Sequence, residues 1–128
     1  MGNRSSGGSR FTVPGELTDL NRYIQAERGN RYAASNIKKK ETARCAAACR
    51  HVAPVSAQVV VRFTWYTRNT RKDPDNVAHA KKYVLDGMVA SGVLPQDSRK
   101  HICGLVDDFQ VDADNPRVEV FIVEAGRA

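Results

Sequence analysis

Residues 57–92, AQVVVRFTWYTRNTRKDPDNVAHAKKYVLDGMVASG, run from strand-like through basic to helix-like patterning without a break. Val59, Val61, Phe63 and Trp65 alternate with Val60, Arg62, Thr64 and Tyr66, the period-two signature of a pleated strand. A polar, basic connector follows over residues 67–72. Beyond it, Val77, Ala80, Val84, Leu85 and Met88 recur at i, i+3, i+7, i+8 and i+11, which predicts one amphipathic helix over residues 75–91, about 24 Å long. Gly92 ends it. Upstream, residues 10–13 read as a short strand stopped by Pro14-Gly15, and Thr18 or Asp19 can cap a helix carrying Leu20, Tyr23, Ile24 and Ala26. A second helical stretch over about residues 33–52 carries Ile37, Ala43, Ala47 and Ala48. Whether Gly29-Asn30 interrupts one helix or separates two stays open. Downstream, strands around residues 102–111 and 118–124 flank an Asp-Ala-Asp-Asn-Pro turn. The order β-αα-β-α-β-β predicts an α+β domain, a small mixed β-sheet with helices packed on one face. Residues 1–10, rich in Gly, Ser and Arg, read as a flexible tail, and residues 11–128 as a single domain without internal repeat.

With 128 residues the chain has the length of one domain and enough surface to bury a core. No apolar run approaches the ~20 residues of a membrane span, and no signal-peptide core follows Met1. Three Cys residues, an odd number, argue against a disulfide framework and fit a reducing cytoplasm. The net charge of +6 is unevenly spread: residues 1–50 carry ten Lys/Arg and four Asp/Glu, residues 51–100 eight and four, and residues 101–128 two and six. A polyanion such as nucleic acid is the natural partner of that basic excess. The plainer explanation is a solvated basic surface.

The segment Arg71-Lys72-Asp73-Pro74-Asp75-Asn76 holds two carboxylates one residue apart, after a strand and at the start of a helix. Pro at the first helical position and Asp around it satisfy an ordinary helix start. Two acids beside a basic connector also fit a hard divalent cation, since Mg²⁺ takes one or two carboxylates and fills its remaining positions with waters and phosphate oxygens. Asp97, in the loop GVLPQD just past the helix, is the candidate third acid. Such a set supports metal-dependent chemistry at phosphorus; capping acids are the alternative.

From Phe11 to Val123 the chain resembles the RusA family of Holliday junction resolvases, in particular phage and prophage members. RKDPDN, AKKYVLDGMVASGVLPQDS, LNRYIQAERGNRYAA and VVVRFTWY carry the resemblance. It implies a RusA-like fold and a Mg²⁺-dependent endonuclease, with Mn²⁺ as a substitute. The enzyme would act as a homodimer on four-way DNA junctions, nicking two strands symmetrically in recombination, repair or phage DNA processing within the bacterial cytoplasm or nucleoid. It maps the catalytic acids and metal ligands onto Asp73, Asp75 and Asp97. It maps the catalytic lysine onto Lys82, in register with Leu85-Asp86-Gly87. The interval from Asp75 to Lys82 is three residues longer than in the best-known member, whose spacing falls on His79; Lys81 is the adjacent alternative. Many members carry a second acid where Gln96 stands. The segment Asn21-Arg22-Tyr23 matches a stretch near the family's active cleft, without an assigned role.

Candidate phosphate contacts are Lys38, Lys39, Lys40 and Arg44 on the second helix, Arg68, Arg71 and Lys72 beside the acids, and Lys81. Asp107, Asp108, Asp112 and Asp114 make the last third acidic, facing away from DNA; Asp107 and Asp108 rank below Asp97 as ligands. Cys45, Cys49, Cys103, His51 and His101 lack the paired spacing of a zinc site and read as buried thiols and surface imidazoles. Of Trp65 and Tyr66, alternation puts one in the core. Two other functions compete: a DNA-junction binder without catalysis, and a general branched-DNA or flap nuclease.

Overall fold

A computed structural model describes residues 8–126 of the chain. β1 (Gly8–Pro14) leads into α1 (Leu20–Gly29) and α2 (Arg31–Ala48); then come β2 (Val59–Thr67), α3 (Pro74–Ala78), α4 (Lys81–Ala90), β3 (Ile102–Val111) and β4 (Arg117–Glu124). The strands form one mixed sheet in the order β1-β4-β2-β3. β2 and β3 are parallel, as a helical crossover requires, and β4 lies antiparallel to both β1 and β2. The α+β class with a small mixed sheet is therefore as expected. No helix among the described residues is long and apolar enough to cross a membrane.

Alternation along β2 sorts its two faces. Val59, Val61, Phe63 and Trp65 are buried, together with Val118, Val120 and Ile122 of β4 and Phe11 and Val13 of β1. Cys45, Tyr83, Val84 and Met88 from the helices close over them in one core, so the helices cover one face of the sheet. Trp65 is the core member of its pair, and its indole N–H is satisfied by Asp107 Oδ1 at 2.8 Å. Tyr66 lies under the Arg117 guanidinium, 3.7 Å from its ring centre.

Several expectations need correction. Residues 8–10 are strand rather than tail: Ser9 pairs with Ile122 and Arg10 with Phe121. The rest of the expected tail, residues 1–7, lies outside the described residues. Gly29-Asn30 separates two helices, because Asn30 is extended (φ −167°, ψ 119°), closes α1 with its N–H and caps α2 through its side chain on the Tyr32 N–H. α2 stops at Ala48 instead of continuing to residue 52.

The single helix expected over residues 75–91 is two. Between α3 and α4 the backbone tightens into i→i−3 bonds, Ala80 N–H to Val77 O and Tyr83 N–H to Ala80 O. Val77, Ala80, Tyr83, Val84, Leu85, Gly87 and Met88 are all buried. In one straight helix they would spread over more than half its circumference, wider than the stripe a surface helix buries. The break turns both pieces inward. α4 then ends in a Schellman motif: Gly92 sits at φ 86°, its N–H bonds Val89 O and the Val93 N–H bonds Met88 O.

Gly87 explains the close approach of α4 to α2. A Cβ built there would stand 2.6 Å from Cys45 Cβ and 2.7 Å from the Ala46 backbone nitrogen. Gly87→Ala is expected to destabilise the fold by about 1–3 kcal/mol, the usual range for overpacking. Gly29→Ala, with nothing within 4 Å of the added carbon, should be neutral or slightly stabilising. Urea unfolding of both variants checks the contrast.

Candidate functional site

The DPDN segment opens α3 with Asp73 as N-cap residue and Pro74 at the first position, but the Asp73 side chain makes no capping hydrogen bond. Asp75 lies in the first turn. Both carboxylates are exposed, and no hydrogen bond or ion pair engages either side chain among the described residues. Asn76 has the structural task instead, since its Oδ1 accepts the Asn21 N–H at 2.9 Å and so satisfies a donor at the start of α1. Asp19 satisfies another, accepting the Arg22 N–H at 2.9 Å.

Lys72 fastens the same corner. Its Nζ lies 3.1 Å from Glu16 and 2.9 Å from Asp19, and Glu16 also accepts the Arg68 N–H at 2.7 Å. Partial burial would raise both acids, but these bonds outweigh it and hold Glu16 and Asp19 below their usual carboxylate range. Burial likewise opposes the Lys72 charge, and the two carboxylates overcome it and raise its pKa. Lys72, expected from the sequence to meet phosphate, is thus engaged internally. So is Arg44, which donates to the buried Glu41 at 3.0 Å and to Pro14 O at 2.6 Å. Glu41 also accepts the Thr18 N–H at 2.7 Å, which ties the chain between β1 and α1 to α2.

Lys82 reaches two acids, Asp86 at 3.0 Å and Asp97 at 3.2 Å. The Asp86 bond raises its pKa most, against partial burial and with Asp97 adding to the rise. The loop after α4 therefore does return Asp97 to the first turn of that helix. Lys81 instead bonds Asp107, which Trp65 also holds, and Arg62 pairs with Asp108 at 3.3 Å. His79 sits in the α3–α4 break with its ring 5.6 Å from that of Tyr23 and 5.7 Å from that of Tyr83. Burial lowers its pKa, so the imidazole is neutral at pH 7 and supplies no fixed cation. The structure consequently brings Lys82, rather than Lys81 or His79, to an acid of the expected set.

It does not assemble that set into one cage. Among the described residues no three acid, imidazole or thiol groups lie close enough to hold a metal ion. The Asp73/Asp75 pair nevertheless has suitable donor chemistry for Mg²⁺: two hard oxygen ligands that no protein cation neutralises. Lys38, Lys39, Lys40, Arg68 and Arg71 are exposed. Cys45, Cys49 and Cys103 are free thiols. Spacing could have foretold the Lys82–Asp86 and Glu41–Arg44 pairs, at i,i+4 and i,i+3. Nothing local in the sequence marks Glu16 and Asp19 as partners of Lys72.

The neutral His79 makes stability depend on pH. Its folded pKa lies below the ordinary 6.5, so the unfolded chain binds the proton more readily. Its full contribution is present above about pH 6.5 and is lost as pH falls through the folded value. Thermal unfolding between about pH 8 and pH 5 should show the wild type losing stability on acidification, and His79→Phe should lose less. Equal slopes for the two proteins would contradict this placement of the ring.

No protein-family model matches this chain, and no curated protein matches it at a significant level.

Proposed function

We propose that this protein is a Mg²⁺-dependent, structure-selective endonuclease of the RusA type, which resolves four-way DNA junctions as a homodimer by paired nicks. The observation that carries the proposal is the pair of exposed carboxylates, Asp73 and Asp75, left without partners at the start of α3 beside a corner fixed by Lys72 and Asn76. A capping role alone would engage Asp73 with the backbone, and it does not. Asp73 and Asp75 would hold the ion. When bound, Mg²⁺ lowers the pKa of a coordinated water and offsets charge developing on a phosphoryl group.

The chain's other groups bind and position. Arg68 and Arg71, in the connector that leads into Asp73, hold the phosphodiester backbone next to the acids, and Lys38, Lys39 and Lys40 extend that field along α2. Lys82 offers its ammonium to charge building on phosphoryl or leaving oxygen, and Asp86 keeps it oriented while it does so. Asp97 is the third acid of the proposed set. It serves a metal only when Lys82 turns from it toward substrate, retaining Asp86.

One observation favours a second reading, a junction-binding protein without catalysis: the described residues form no three-acid cage. A synthetic four-way junction incubated with and without Mg²⁺ separates the two. The nuclease reading expects symmetric nicks that require the metal, whereas binding without nicks favours the second reading. Flap and Y-fork substrates cut as fast as the junction would indicate a general branched-DNA nuclease. Asp73→Asn and Asp75→Asn should each lower nicking by at least about 10²-fold, the scale of removing one transition-state stabiliser, while junction binding persists. Near-normal nicking by either variant would reject the assignment.

A further inference from the structure

Two open recesses meet at the corner that Lys72 fastens. One, of about 520 Å³, lies between the β1–α1 linker and the β2–α3 connector, with Arg22, Arg68 and Arg71 on its walls. The other, of about 640 Å³, continues along α1 past Gln25 and Arg28 and reaches Asp73 on the opposite side. Asp19, Arg22, Arg71 and Lys72 line both, so the two recesses form one groove. Asn21, Ile24, Gln25 and Arg28 recur at i, i+3, i+4 and i+7, which turns a single face of α1 toward it.

Charge in the groove is net positive: Arg22, Arg28, Arg68, Arg71 and Lys72 stand against three carboxylates, Glu16 and Asp19, which share the single Lys72 ammonium, and Asp73. Arg22, Arg28, Arg68 and Arg71 are exposed, and among the described residues none of their guanidinium groups makes a hydrogen bond or ion pair. Arg22 and Arg68 lie near enough to Asp19 and Glu16 to help hold those acids ionised, yet their guanidinium groups stay free for hydrogen bonding, and such exposed arginines on both walls of a groove match an extended polyanion. A guanidinium contacts phosphate oxygens through two parallel donors. The groove ends at an acid that has no partner of its own.

We propose that α1 is the second wall of a channel for one phosphodiester strand of DNA, with Arg22 and Arg28 contacting phosphates across from Arg68 and Arg71 and guiding the strand to Asp73. The inference rests on the nuclease reading for what happens at Asp73; the occupant of the groove is a nucleic-acid strand. Lys72 has no direct contact with that strand and acts as the brace that keeps α1 opposite the connector.

The test uses the full chain and a fluorescein-labelled synthetic four-way junction, with affinity measured across a range of salt concentrations. Arg22→Ala/Arg28→Ala should weaken binding about 10–30-fold at ~0.15 M salt, and the slope of log affinity against log salt should shrink by about 1.4–1.8, two phosphates' worth. Arg10→Ala/Arg50→Ala removes the same charge away from the groove and should cost no more than about threefold with little change in slope. Equal losses for the two double variants, or no loss for the groove variant, would overturn the proposal. Nicking of the same junction in Mg²⁺ is scored separately. Arginine-dependent binding without nicks defeats the nuclease reading alone, and metal-dependent nicks with normal binding by the groove variant defeat the channel alone.

Discussion

The ammonium of Lys72, held between Glu16 and Asp19, is the constraint on which the corner depends. It joins the connector before α3 to the residues that launch α1, and the Arg68 N–H on Glu16 and Asn76 on the Asn21 N–H repeat the join on either side. These are partly exposed pairs, whose net contribution to stability is small. Their effect is positional. With Lys72 taking the direct contacts to Glu16 and Asp19, the guanidinium groups of Arg22, Arg68 and Arg71 make no hydrogen bond among the described residues, and the acids Asp73 and Asp75 keep their carboxylates free. Glu16 and Asp19 spend their direct contacts on Lys72 and on backbone N–H groups, and the arginines around them outnumber the charge that is left.

The frame behind the corner is built to tight tolerance. Gly87 lets α4 lie against the backbone of α2, and the buried Glu41 fixes the linker from β1 through Thr18 while Arg44 balances its charge. A buried carboxylate is tolerable only with such partners. The α3–α4 break belongs to the same frame: it allows one face of each piece to reach the core and leaves His79 between Tyr23 and Tyr83, where burial pushes the Tyr83 hydroxyl up to about 12.

Much of this was legible in the residues, and the misses have physical causes. Alternation fixed the faces of β2, because a half-covered sheet must put every second side chain into the core. Asp19 as cap and Gly92 as terminator follow from local backbone chemistry. The order of the strands did not: β3 and β4 adjoin in the chain yet β4 pairs with β1 and β2, a choice made by tertiary packing. The helix break stayed hidden because Val77, Ala80, Val84, Leu85 and Met88 keep helical spacing across it, and Tyr83 and Gly87, buried outside that spacing, were the unused signal. Asp73 and Asp75 stood out as a pair, but the groove that reaches Asp73 did not, since Lys72 and Glu16 are 56 residues apart and no periodicity relates them. Arg22 lay in a segment without an assigned role and nothing in the pattern singled out Arg28; only the packing of α1 beside the connector brings them to the groove.

The most direct test of the account is where a divalent ion binds. Amide spectra of the isotopically labelled full chain, titrated with Mn²⁺ in the presence of a four-way junction carrying non-hydrolysable linkages, report residues near the metal through paramagnetic broadening. Loss of signal should centre on residues 73–77 and reach the start of α1. Broadening confined to the acidic strand β3, or none at saturating junction, would contradict it.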